Sequence, residues 1–291
     1  MANLTIEPND RVVFKVRYSD DDVLVIDKPA HVVSTPGLGH DRGSVLNGLF
    51  ATYGKQLQNL GKDRDFGMLH RLDRETSGLL IIALRANAYD KLRKMFEARQ
   101  IRKFYFAVVA GVPKQTSGVI RRPINEVKET RDRHEMKIAK ISGSGKPATT
   151  AYRVLDSSPA ASFLECRAVT GRLHQLRVHL ESIRCPIFGD DLYAPPAIAK
   201  GAKRLALHAH RIAFEHPLTG TLVDGNVSKT NARDIYYGGS KGSGVNGVLH
   251  AGDHLVALGD AHVFLRGDHR VAASGQDART GASQENHRRE V

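Results

Sequence analysis

Six consecutive apolar residues, Leu79-Leu80-Ile81-Ile82-Ala83-Leu84, stand between Gly78 and Arg85. A run of that length and composition reads as a strand buried on both faces. Directly before it comes the polar stretch His70-Arg71-Leu72-Asp73-Arg74-Glu75-Thr76-Ser77-Gly78. Any fold of this chain must therefore lead a charged connection straight into its core. Connections held by a rigid scaffold are where chemistry is usually placed. Asp73 lies between Arg71 and Arg74, and neighbouring cations favour its ionised form. An Asp in a turn is ordinarily a turn former, so the rest of the chain must decide whether this one is more.

Charge narrows the partner. The 291 residues carry 43 Lys and Arg against 31 Asp and Glu, a formal net charge of +12, which favours a polyanion: nucleic acid or an anionic membrane surface. No stretch approaches the ~18 apolar residues of a spanning helix. Met1 to Arg11 has no apolar segment of the signal-peptide type, and Cys166 and Cys185 form no CxxC pair. The expectation is a cytoplasmic protein with two buried thiols.

Strands are expected within Arg11–Tyr18, at Val23–Asp27, Lys103–Gly111, Ala148–Asp156 and Ser162–Val169. Helices are expected at Ser44–Tyr53, with Ser44 as N-cap and a loop from Gly54 to Asp65 after it, and from Asn87, with Tyr89, Leu92 and Phe96 inward. The second helix turns Lys91, Arg93, Lys94 and Arg99 outward, either as a solvated face or as a phosphate track. Alternation puts Lys103 and Tyr105 on one face, away from Phe104 and Phe106. A buried face rarely carries an unpaired Lys, so that face points to a cleft. Residues 117–147 read as a charged hairpin. Gly171–Leu180 reads as an amphipathic helix with Leu173, Leu176, Leu180 and Ile183 in the core and His174 and Arg177 beside them.

The segment His70–Gly78 resembles the catalytic motif of the RluA-type RNA pseudouridine synthases, in which the Asp is essential. Further segments are similar in the same order. They are Asp22–Gly37, with His31 where Gly is expected; Lys103-x-Tyr105 before an Ala-x-Val-x-Gly run; Gly171–Leu180; Cys185–Tyr193; Arg204–His210; and Phe214–Pro217. The resemblance spans about residues 22–222. It implies an α+β fold, the pseudouridine synthase fold, with a mixed, mostly antiparallel central sheet, flanking helices and a basic active-site cleft. It also implies that Asp73 is the catalytic carboxylate, that Tyr105 is the active-site tyrosine and that Arg177 pairs with the aspartate. Residues 1–20 leave no room for the RNA-binding domain that precedes the core in many members, so a catalytic-domain-only organisation is expected: an N-terminal extension, a catalytic domain over 21–222, and a Gly- and His-rich tail over 223–291. Within that tail Val248–Ala272 reads as a weak hairpin and Ser274–Val291 as disordered.

Isomerising uridine to pseudouridine breaks the ribose C1′–base N1 bond and joins C1′ to C5. It needs no redox cofactor and no metal. Asp73 would be the ionised reagent, Arg177 would hold it charged, and Tyr105 would stack on the detached base. His70, Arg71, Arg74, Lys103, Arg172 and His174 are the candidate RNA contacts. The expected partner is rRNA or tRNA, bound by a monomer, with neither membrane nor metal. Three rivals remain: a metal hydrolase using His208 and His210 or His174 and His179, a serine hydrolase using Ser77 with His70, and an RNA-binding assembly factor without catalysis.

Overall fold

A computed structural model describes residues 5–37, 40–131 and 134–226, together with the backbone of three short strands at 249–250, 255–258 and 261–264. The chain opens with an antiparallel pair, β1 (Lys15–Ser19) and β2 (Val23–Lys28), and then α1 (Val45–Leu60). A 3₁₀ segment, Lys62–Gly67, leads through the His70–Thr76 connection into β3 (Ser77–Ala83), α2 (Ala86–Glu97) and β4 (Arg102–Ala110). Next come β5 (Ser117–Arg121), the hairpin β6 (Ile124–Arg131) and β7 (His134–Ile141), β8 (Thr149–Ser157), β9 (Ala161–Ala168) and α3 (Gln175–Ser182). The short α4 (Pro196–Ala199), β10 (Leu207–Glu215) and β11 (Leu222–Asn226) close the core.

Nine of these strands form one sheet in the order β1-β2-β3-β10-β4-β9-β8-β5, with β11 added to β10. The fold is α+β. One joint in the sheet is parallel, β3 against β10, over Ser77–His208 and Gly78–Ala209, and the other strand pairings of this sheet are antiparallel. At that joint Gly78 has φ +119°, and a Cβ there would lie 2.3 Å from the Ala209 carbonyl oxygen, so only glycine fits. β3 is buried along its whole length, as its unbroken apolar run requires. The core on either side is built from Val23–Ile26, Leu79–Ala83 and Ala107–Val109 with Leu49, Leu57 and Leu92 of the helices.

Several helix boundaries differ from expectation. Ser44 does cap α1, with Asn47 completing a reciprocal capping box, but the helix kinks at Tyr53 and continues to Leu60 where a loop was expected. Leu57 and Leu60 supply the reason, since both are buried. Arg85, not Asn87, is the cap of α2. The helix expected over 171–180 starts only at Gln175, because His174 adopts a left-handed backbone (φ +47°) and Leu173 is left in the preceding loop. His31 also takes a positive φ (+65°), so the turn expected of glycine is kept by a histidine, whose Nδ1 lies 2.5 Å from Glu75.

The β6–β7 hairpin forms a separate two-stranded sheet, bridged at Ile124 to Lys146, and sits on α3 through a small cluster of Ile124, Ala139, Ala148 and Val178. In the C-terminal segment, where a hairpin was expected over 248–272, β12 (Leu249–His250), β13 (Leu255–Leu258) and β14 (Ala261–Phe264) form an antiparallel three-stranded sheet. Ser274–Val291 lies outside the described residues.

Candidate active site

The connection carrying Asp73 is fixed from beneath by two buried side chains. Lys28, wholly buried at the end of β2, donates from Nζ to the carbonyls of Pro29 (2.8 Å), Val32 (2.7 Å) and Arg74 (3.1 Å). Ser34 donates to the Leu72 carbonyl (2.8 Å) and accepts from the Leu72 N–H (3.1 Å). The Thr76 N–H closes a turn on the Asp73 carbonyl (3.1 Å). Asp73 therefore stands on a rigid support although it belongs to no helix or strand. Burial pulls the Lys28 ammonium down to about 7, against the attraction of Asp73 and Glu75.

Above this support lies a cleft of about 600 Å³, lined by Asp73, Tyr105, Lys103, Arg71, Arg172 and His174 among others. Tyr105 and Lys103 reach it together from β4, as their alternation requires, while Phe104 and Phe106 turn away to Arg211 and His210. Burial, and then the charge of Asp73, push the Tyr105 phenol well up, so it stays protonated. The Lys103 ammonium lies 5.5 Å from the centre of the Phe96 ring. No carboxylate among the described residues comes within 4 Å of it, and burial lowers its pKa. Arg71 is exposed at the mouth, and Arg172 donates to the Pro147 carbonyl (3.2 Å).

Other candidates take different places. Arg74 is exposed, does not line the cleft and bonds Glu75 (2.6 Å). His70 lines it but accepts a bond from the Ile81 N–H (3.0 Å), and burial holds it well below the usual histidine range, so it carries no charge for a phosphate. Among the described residues His174 Nε2 is the basic group within 4 Å of Asp73, at 3.9 Å from Oδ1, and burial lowers its pKa despite that carboxylate.

The expected Arg177–Asp73 ion pair is not formed. Arg177 gives its paired hydrogen bonds to Asp190, at 2.8 Å from Nε and 2.5 Å from Nη2, and reaches Asp191 at 3.3 Å. The choice is physical: Asp190 is buried and adjacent, and a bidentate fork satisfies both groups there. Arg177 faces Asp73 through space, as a field rather than a contact, and its own pKa, which burial would lower, is raised on balance by Asp190. Lys28, Ser34, Asp190 and Tyr193 were not singled out as site residues. All four lie in segments that resemble the family, Asp22–Gly37 and Cys185–Tyr193, and a Lys closing a buried strand is a further signal at Lys28.

The rival chemistries find little support. Ser77 bonds His208 Nδ1 (2.9 Å), not His70, and both lie inside the β3–β10 joint. His210 stacks on Phe106 and faces Glu165, while His179 bonds Thr150 and the Arg122 carbonyl. Asp20, Asp22 and His216 could converge on a cation. However, His216 Nδ1 accepts the Leu218 and Thr219 N–H groups, and its Nε2 faces Asp20 at 3.1 Å. Tyr18 donates to the same Asp20 oxygen. Asp20 Oδ1 also accepts the Asp22 and Val23 N–H groups, so Asp20 is satisfied from within the chain, while His216 Nε2 and Asp22 Oδ1 have no hydrogen-bond partner among the described residues. No helix among the described residues is long and apolar enough to cross a membrane.

Comparison with known proteins gives the family. Residues 22–182 match the RNA pseudouridylate synthase family. An RNA pseudouridine synthase of Mycobacterium bovis is 38% identical over 226 residues, covering 77% of this chain and 71% of that protein. The ribosomal large subunit pseudouridine synthase D of Neisseria meningitidis (serogroup A) is 36% identical over 232 residues, covering 76% of this chain and 59% of its own length. Among solved structures, human RNA pseudouridylate synthase domain containing 1 superposes with a TM-score of 0.58 at 25% identity, over 76% of this chain and 86% of that one. With a family match across more than half its length and relatives of this similarity, the chain belongs to the RNA pseudouridine synthase family.

Proposed function

We propose that this protein isomerises uridine to pseudouridine in structured RNA, with Asp73 as the reacting carboxylate. The observation that carries the reading is the placement of Asp73: a carboxylate on a braced turn, 3.9 Å from His174, in a cleft shared with Tyr105 and the carboxylate-free Lys103. The reaction is an internal exchange of bonds. C1′–N1 breaks, C1′–C5 forms, the C5 proton leaves and N1 gains one, with no net oxidation. It requires no redox cofactor, and the site supplies charge from its own side chains.

In this reading Asp73 acts on the nucleoside at the ribose–base junction. Arg177 places positive charge near it without neutralising it by contact. Tyr105 offers a flat face for the detached base, and its retained proton can be passed to the base. Reaching the cleft requires the uridine to leave its stack, at a cost of roughly a few kcal/mol. Arg71, Lys103 and Arg172 offset that cost by holding phosphates around the entrance. The substrate class we favour is ribosomal RNA, on the strength of the neisserial relative's name, with tRNA the second candidate. The protein acts as a monomer in the cytoplasm.

The test is tritium release from C5-labelled uridine in rRNA and tRNA, with wild type beside Asp73→Asn. Release by wild type alone is expected, with RNA affinity of the variant within about threefold, because Asn keeps the shape and removes the charge. Equal release by both proteins would overturn the assignment of Asp73. Binding without release by wild type would point instead to an assembly factor.

A further inference from the structure

Tyr193 lies in the turn after α3, outside the cleft lining, yet its hydroxyl is the meeting point of two elements. It accepts the backbone N–H of Ala139 on β7 (2.9 Å) and lies 2.7 Å from His174 Nδ1. The turn is itself held, since Asp190 Oδ1 accepts the N–H groups of Leu192 and Tyr193 (3.1 Å each) while the carboxylate binds Arg177. The Arg177 guanidinium lies 5.1 Å over the Tyr193 ring, and the His174 ring meets it edge-on at 5.6 Å. The phenol therefore has little freedom to turn.

A proton count follows from these contacts. Ala139 N–H can only donate, so the Tyr193 oxygen is its acceptor. The hydroxyl proton then needs an acceptor of its own, and among the described residues His174 Nδ1 is the one within reach. Were Nδ1 protonated, the phenol proton would be left without a partner among the described residues, at a half-buried position. Nδ1 is therefore the bare nitrogen. Burial keeps His174 neutral, so its single proton sits on Nε2. Nε2 is the atom 3.9 Å from Asp73 Oδ1.

We propose that Tyr193 is a positioning residue: it locks His174 in the Nε2–H form, so that a neutral donor of fixed direction faces the reacting carboxylate. The far end of the same hydroxyl is bonded to the β6–β7 hairpin, which rests on α3 through Ala139 and Val178. The seat of the hairpin on α3 thereby sets the proton on His174. At 3.9 Å the two atoms do not hydrogen-bond in this structure, so a neutral Nε2–H presents the carboxylate with a dipole of fixed direction rather than with a full charge. The proposal rests on Asp73 being the reacting group, and it removes His174 from the set of cationic phosphate contacts.

The test combines a spectroscopic and a kinetic measurement. In ¹⁵N NMR of the wild-type protein at pH 7, with His174 assigned by its loss in His174→Gln, Nε2 should be protonated and Nδ1 bare. In Tyr193→Phe the two tautomers should mix. Single-turnover release from labelled RNA should fall about ten- to a hundredfold in Tyr193→Phe, the scale at which misorienting a reacting group is felt, while RNA affinity stays within about threefold. His174→Gln, whose amide can still donate, should retain more of that rate than His174→Leu. A protonated Nδ1 in wild type, or an unchanged rate in Tyr193→Phe, would overturn the proposal. If Tyr193→Phe does not fold, the wild-type NMR result alone decides. Full activity of Asp73→Asn would instead overturn the underlying role of Asp73 and leave the tautomer result standing.

Discussion

Lys28 shows how one buried charge can support a reactive turn at a cost that pH can expose. Its three donors meet three carbonyls, two near its own turn and one, Arg74, in the Asp73 connection. Replacing it by Met leaves those carbonyls without their donor, and a buried group left unsatisfied costs about 1–3 kcal/mol. Relief from burying the ammonium offsets part of that, so Lys28→Met should lose about 2 kcal/mol in urea unfolding. The pH dependence has a definite sign. Burial lowers Lys28 from 10.5 to about 7 in the folded state, so between those values the unfolded chain holds a proton that the folded one has released. Wild-type stability relative to Lys28→Met should therefore rise from pH 7 to about pH 10 and level off beyond. A flat difference across that window would mean that the ammonium stays charged in its carbonyl cage. Residues of this kind were hard to read in the sequence. Asp73 announces itself through a nine-residue local pattern, whereas the choice of Arg177 for Asp190, or of Tyr193 for His174, is made by neighbours brought together only in the fold. The left-handed backbone at His174 that delays α3 has no sequence mark either, since it is not at a glycine.

The strands were legible because their apolar runs are continuous, but the joint between them was not. Ser77 and His208 are 131 positions apart, and nothing in either run says that β3 and β10 lie side by side and parallel. The joint is short, two residue pairs, and depends on backbone contact at Gly78. A methyl group there would stand 2.3 Å from the Ala209 oxygen and 2.5 Å from its nitrogen, both backbone atoms that cannot step aside. Its φ of +119° would strain any side chain as well. Gly78→Ala should therefore cost about 3 kcal/mol or more, and should weaken the Ser77–His208 bond beside it. Thermal melts and amide exchange of β3 would measure this, with Gly143→Ala, where a Cβ meets nothing within 4 Å, as the control. Equal stability of the two variants would show that the joint can open without loss. Gly78 closes the motif that holds Asp73, so this strain sits only a few residues from the chemistry.

At the scale of the whole molecule the fold keeps several buried histidines neutral inside a strongly basic chain. Burial lowers His70, His174, His179 and His208, the last to about 3. Three of them also use a ring nitrogen as an acceptor: His70 from the Ile81 N–H, His179 from Thr150, and His174 from Tyr193 by the proton count above. Protonation would destroy those bonds as well as bury a charge. In the unfolded chain the same rings titrate near 6.5. As pH falls below that value the unfolded chain takes up protons that the folded one refuses, and stability must fall. Each histidine that refuses fully contributes up to about 1.4 kcal/mol per pH unit. Lowered carboxylates such as Glu75 and Glu165 extend the loss in the same direction at still lower pH. Urea unfolding should thus show a steep decline in stability from pH 6.5 to pH 5, while ¹⁵N NMR of the folded protein at pH 5 still finds His70 and His208 neutral. Constant stability over that range would mean that these rings find room to charge in place. Such a result would also remove the basis for a neutral donor beside Asp73, because His174 belongs to the same buried set.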